Sequence, residues 1–139
     1  MKTLSEYITL YEKHTGEAFA FKQPFSFYYS PEHGFCEYLP KGDTLYIWQM
    51  CGDGKFWINL ALKVCRKFKL KYISSYVVRK PLPFIRRLGF KIVMKQNNHG
   101  YLRYRGKNKA GEYLNATQFG DRFIFTWEVK INAEIKDDV

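Results

Sequence analysis

The chain has 139 residues, 46% of them hydrophobic and 19% aromatic, which suits one domain with a packed core and excludes a disordered or fibrous chain. Its longest uncharged runs, Gln23–Pro31 and Thr44–Gly52, are nine residues each, against about 20 for a membrane helix, so no membrane partner is expected. The formal net charge of +10 comes from the middle of the chain, where residues 41–110 carry 17 basic side chains against only Asp43 and Asp53, a net +15 between two acidic flanks.

A field this uneven concentrates polyanions, either nucleic acid or a small phosphorylated cofactor; a merely solvated basic face is the plainer alternative. The start, Met1-Lys2-Thr3-Leu4-Ser5-Glu6, is amphipathic with an early acid and does not read as a signal peptide. Cys36, Cys51 and Cys65 are odd in number and lack CxxC spacing. Buried reduced thiols and a cytoplasmic location are therefore expected.

Thr3 and Glu6 predict a capping box opening a helix whose apolar face is Leu4, Tyr7, Ile8 and Tyr11, with Gly16 as its stop. Phe25–Tyr29 and Phe35–Leu39, joined through Pro31–Gly34, read as a β-hairpin. After a turn at Pro40–Asp43, Thr44–Met50 is the strongest strand signal in the chain. A second helix is predicted from Lys55 or Phe56, with Trp57, Leu60, Ala61, Val64 and Phe68 as its core face and cations crowding its last turns. Tyr72–Val78 follows as a strand, and the strand–helix–strand order predicts that it lies parallel to 44–50. Pro81 and Pro83 end that run. Phe84–Leu88 predicts a helix of one or two turns capped by Gly89, Phe90–Met94 a strand, and Arg122–Val129 the last strand. Asn97–Asp121 reads as a polar insertion with a hairpin around 106–111, and Asp137–Val139 as a frayed tail. The expected fold is α+β over residues 1–139 as one domain, with helices on both faces of a mixed, mostly antiparallel sheet that contains one parallel strand pair.

The junction Trp48-Gln49-Met50-Cys51-Gly52-Asp53-Gly54-Lys55 carries the main functional expectation. A strand passes through two glycines directly into a helix. Free amides and the positive end of the helix dipole make such a junction a natural phosphate cradle, with Lys55 at its mouth. A plain tight strand-to-helix turn uses the same glycines.

Gln49-Met-Cys-Gly52-Asp-Gly54 resembles the Gln/Arg-x-x-Gly-x-Gly/Ala pyrophosphate signature of the GNAT superfamily of N-acetyltransferases. Phe84-Ile85-Arg86-Arg87-Leu88-Gly89-Phe90 resembles that family's later Leu-Gly-Phe segment. The compact form is most similar to short acetyltransferase-like proteins encoded by bacteriophages. The resemblance implies acetyl-CoA held along Trp48–Lys55 and acetyl transfer to an amine of unknown identity. It implies main-chain donors near Trp48 and Met50 that polarise the thioester carbonyl. Where many members carry a proton-donating Tyr, this chain has Ile85. Tyr76 then stands as the expected acid, and Glu37, on the neighbouring strand, as the expected base or anchor of a water relay.

A different class of function is a catalytically inactive binding or structural module. Residues 101–109, Tyr-Leu-Arg-Tyr-Arg-Gly-Lys-Asn-Lys, interleave aromatics with cations in the manner of a surface for nucleic acid or another polyanion. An edge kept soluble by its cations has the same composition. Phe19, Phe21, Phe25, Phe27, Tyr28 and Tyr29 are candidates for a protein-binding surface, or more simply for cross-strand packing. His14, His33 and His99 are too scattered for a local metal motif, and no metal is expected.

Overall fold

The computed structural model describes residues 1–131, apart from the side chain of Asn98; the expected frayed tail lies outside the described residues. Its elements are α1 (Leu4–Thr15), β1 (Ser26–Ser30), β2 (Gly34–Lys41), β3 (Thr44–Gly52), α2 (Gly54–Phe68), β4 (Tyr72–Val77), α3 (Pro81–Arg87), β5 (Lys91–Asn98), β6 (Tyr101–Lys107), β7 (Tyr113–Phe119) and β8 (Arg122–Glu128). The strands form one sheet in the order β1-β2-β3-β4-β8-β7-β6-β5. Every neighbouring pair is antiparallel except β3 and β4, which are parallel. The α+β architecture is the one the sequence predicts.

The first helix forms for the expected local reasons. The Thr3 hydroxyl accepts from the Glu6 amide at 3.2 Å, and the Thr3 amide donates to the Glu6 carboxylate at 3.0 Å. Gly16 ends the helix in the left-handed region at φ 72°. Tyr7 and Tyr11 pack with Phe35 and Cys51, whereas the next residue on β2, Cys36, belongs to the main core with α2 and α3. Successive strand residues face opposite sides of a sheet, so α1 covers one face and the other two helices cover the opposite one.

Two corrections concern how helices meet the sheet. The buried residues of α2 are Trp57, Ile58, Ala61, Leu62 and Cys65; Leu60 and Val64 are only partly buried, and Phe68 is 63% exposed. The helix is apolar around more than half its circumference, so packing rather than periodicity selects the inner stripe. Lys69 then adopts the left-handed region at φ 57°, and Leu70 turns back into the core in place of Phe68. The third helix begins at Pro81, earlier than expected, because a proline at the first helical position has no amide to waste and its φ is already helical.

The polar insertion is mostly sheet. Strands β6 and β7 fill it, joined at Asn108–Glu112, where the hairpin is expected. Glu112 is 3% exposed and holds this loop to the end of β8. Its carboxylate accepts from the Asn108 side chain at 2.8 Å, the Lys130 amide at 2.8 Å and the Trp127 indole at 3.3 Å. Phe123 and Phe125 of β8 are fully buried beneath α3. Burial of each contributes about 1.5–3 kcal/mol.

Candidate functional site

The site begins with an irregularity in β3. Cys36 of β2 faces Met50 and Tyr38 faces Ile47, so Glu37 alone lies opposite both Trp48 and Gln49. A bulge of this kind reverses the alternation of side chains along the strand. Leu45 and Ile47 accordingly point into the main core, whereas Cys51 points toward α1.

The same segment is where β3 parts from β4. Their ladder covers only Thr44–Ile47 against Tyr72–Ser75, and the Ser75 hydroxyl closes it by donating to the Ile47 carbonyl at 3.2 Å. Beyond this point the strands diverge, and main-chain groups of β3 that would otherwise pair with β4 face open space. The gap is a cleft of about 530 Å³. Leu10, Tyr11, His14 and Thr15 of α1 line it on one face of the sheet, and Phe84, Arg87 and Leu88 line it on the other.

Seven of the eight residues expected to hold a cofactor line this cleft: Trp48, Met50, Cys51, Gly52, Asp53, Gly54 and Lys55. Gln49 does not. It is buried on the α1 side of the bulge, where its amide group accepts from Ala20 and donates to Ala18, each at 3.1 Å, and so fastens the segment after α1.

The two glycines have different reasons to be glycine. Gly52, at φ 97°, faces Gly34 across the hairpin, and a Cβ on it would lie 2.4 Å from the His33 carbonyl oxygen. Backbone packing therefore requires it, with or without a ligand. A Cβ on Gly54 would meet only the Met50 methyl, at 3.8 Å. The fold does not require this glycine, and its openness is on the cleft side.

Gly54 and Lys55 open α2, so their amides precede the intrahelical ladder and point with the positive end of the dipole toward the cleft. Asp53 is the helix cap; its carboxylate accepts from the Phe56 amide at 3.1 Å and lies 3.3 Å from His33 Nδ1, with the His33 ring stacked on Phe56 at 3.7 Å. Lys55, Arg79, Arg87 and His14 surround the opening. The cations outnumber the single cleft carboxylate, and the site favours an anion.

Tyr76 also lines the cleft. Its hydroxyl accepts from Arg122 Nη1 at 2.5 Å, and Arg122 is held in turn by Glu17 at 3.4 Å and Asp121 at 3.1 Å. Glu37 is fully buried and is not a cleft-lining residue. One of its oxygens accepts from the Lys22 amide at 3.1 Å and the other has no hydrogen-bond partner among the described residues. Burial raises its proton affinity, partly offset by Lys22. The Lys22 ammonium lies 3.8 Å from the Trp48 ring centre. Cys51 is buried, burial pushes its thiol up, and Sγ lies 3.5 Å from the Tyr7 carbonyl. Ile85 is fully buried against Gly106, away from the cleft.

No protein-family model matches the chain, and no curated protein is similar to it in sequence. The wall supplied by α1 is what sequence reasoning missed: Tyr11 and His14 reach the cleft from more than 30 positions away, with no local motif to announce them. Burial pushes the Tyr11 phenol up to about 12, so it remains protonated. Among the described residues no cluster of His, Cys, Asp or Glu is arranged to hold a metal, and no helix is long and apolar enough to cross a membrane.

Proposed function

We propose that the cleft binds acetyl-CoA and that the protein transfers the acetyl group to an amine. The observation that carries this reading is the parting of β3 from β4 directly before the open amides of α2. A pyrophosphate over Gly54 and Lys55 takes two main-chain donors, the helix dipole and nearby cations. The space between the strands suits the pantetheine arm, and the main chain of Trp48–Met50 on the side that β4 leaves supplies donors for a carbonyl oxygen.

Acetyl-CoA would supply the activated acyl group as a thioester. The remaining chemistry belongs to the chain. Tyr76 holds a proton at its hydroxyl for the departing sulfur, while Arg122 fixes the ring by donating to the same oxygen. Glu37, buried outside the cleft opposite Trp48 and Gln49, would receive the acceptor's proton only through a relay and without touching the substrate, its affinity for protons raised by burial. The buried free thiols agree with a cytoplasmic setting.

Calorimetric titration with acetyl-CoA tests this reading, with Gly54→Val alongside because that side chain meets little in the folded chain. Micromolar binding to the parent, weakened at least about tenfold in the variant, is the expected result. The absence of both heat and thermal stabilisation at millimolar ligand overturns it.

A second reading, a surface for nucleic acid or another polyanion at residues 101–109, is favoured by one observation. Leu102, Tyr104 and Gly106 face the core, which turns Arg103, Arg105 and Lys107 to the opposite side of the sheet, the one that α1 covers at β2 and β3.

A further inference from the structure

Beyond β3, one face of the sheet is largely uncovered, with α1 and Glu17 reaching it at Tyr76 and Arg122. On β4–β8 every buried residue (Ile73, Val77, Tyr104, Leu114, Phe123 and their like) points toward α2 and α3. None of the described side chains pointing the other way is buried. The register aligns them in rows across the strands. One row runs Tyr76, Ile124, Thr117, Arg103, Gln96; the next runs Ser74, Thr126, Asn115, Arg105, Met94; a third runs Tyr72, Glu128, Tyr113, Lys107, Lys91. With strands about 4.8 Å apart, the platform is roughly 19 Å across.

We infer that this platform binds single-stranded nucleic acid. Independent of the acyl-transfer reading, this adds to the polyanion reading a ligand class and contacts outside residues 101–109.

Charge is the first argument. Glu128 is the only acidic residue on strands β4–β8, while Lys91, Arg103, Arg105 and Lys107 face outward together. Lys91 and Lys107 are direct cross-strand partners. Like charges so placed destabilise an antiparallel pair, and a bridging phosphate reverses the sign.

The rings are the second argument. Tyr101 and Phe119 are 49% and 39% exposed and meet edge to face at 5.3 Å. The Arg105 guanidinium is held 4.1 Å over the Tyr113 ring and donates to Asn115 at 3.1 Å, which presents a planar cation with its orientation already fixed. Rings and guanidinium planes take unpaired bases by stacking; a duplex keeps its bases turned inward and offers only phosphates. The alternation of cations with exposed rings therefore selects a single strand over a duplex and over an acidic protein.

Fluorescence anisotropy with a labelled oligothymidylate of twelve nucleotides tests the inference, with the same sequence annealed as a duplex and with heparin as competitors. The parent is expected to bind the single strand at least about tenfold more tightly than the duplex. Tyr101→Ala with Phe119→Ala, both on the surface, should weaken single-strand binding about fivefold or more and leave duplex binding unchanged. Arg103→Gln with Arg105→Gln should weaken binding and flatten its salt dependence by about 1.4 in log–log slope, while Lys63→Gln with Lys67→Gln on α2 should do neither. Binding to nothing overturns the polyanion reading altogether. Equal binding of single strand, duplex and heparin, indifferent to the ring substitutions, preserves that reading and overturns this inference.

Discussion

Arg122 donates to the Tyr76 hydroxyl at 2.5 Å, so the phenol oxygen is engaged as an acceptor and its own proton is left to point elsewhere. The guanidinium is fixed from behind by Glu17 and Asp121. Tyr76 thus combines the two properties a proton donor needs, a set position and an O–H that donates to no other group among the described residues. With Ile85 sealed in the core, it is the hydroxyl the proposed reaction depends on.

Tyr76→Phe is expected to lower acetyl transfer about 100-fold with acetyl-CoA affinity unchanged. Arg122→Gln, which removes the guanidinium that fixes the Tyr76 hydroxyl, should lower kcat about tenfold through lost positioning and leave acetyl-CoA affinity unchanged. Steady-state kinetics reads both, and an unaltered kcat in Arg122→Gln removes Arg122 from the mechanism.

Asp53 places a carboxylate where the proposed pyrophosphate binds. Asn at a helix cap still accepts from the Phe56 amide. Asp53→Asn should therefore keep the helix and tighten acetyl-CoA several-fold, most visibly at low ionic strength. Titrations at two salt concentrations check this; equal affinities would mean that the phosphates lie elsewhere.

Gly52→Ala is expected to damage the fold rather than the ligand site. The left-handed φ and the 2.4 Å approach to His33 together destabilise by at least about 2 kcal/mol, a drop in Tm of roughly 5 °C or more. Gly54→Ala should leave Tm within a degree or two. Thermal melts of the two variants separate the backbone role from the binding role.

Glu37 gives a pH signature. Burial raises its pKa above the ordinary 4.5, so the folded chain binds this proton more tightly than the unfolded one. Stability from this group is greatest below the unfolded value, falls as pH rises from there through the raised folded value, and is level above it. Glu37→Gln is never charged, and its melting temperature relative to the parent should rise across that window. A constant difference between the two proteins from pH 4 to 8 would contradict the assignment.

Much of this was legible because it is local. The Thr3–Glu6 box, the Gly16 stop, the β1–β2 hairpin and the Gly52–Gly54 junction each declare themselves within a few residues. What escaped depends on partners distant in sequence. The inner stripe of α2 could not be chosen from a helix apolar on most of its surface, and Phe68 yielded its place to Leu70. Residues 97–121 read as polar insertion because β6 and β7 are covered on one side only, so half their side chains are hydrophilic by position. The bulge at Trp48–Gln49 left no mark in the alternation, and it alone turns Gln49 away from the cleft its neighbours line.

The brevity of the β3–β4 ladder has a mechanical consequence. Three strands stand on one side of it and five on the other, and the seam between them is four residue pairs with the Asp43 carbonyl, at one end, accepting from the Lys71 and Tyr72 amides. The molecule resembles an open book bound along part of its spine. Whatever lies in the opening touches both leaves at once, and so acts as a splint that stiffens the two halves against each other.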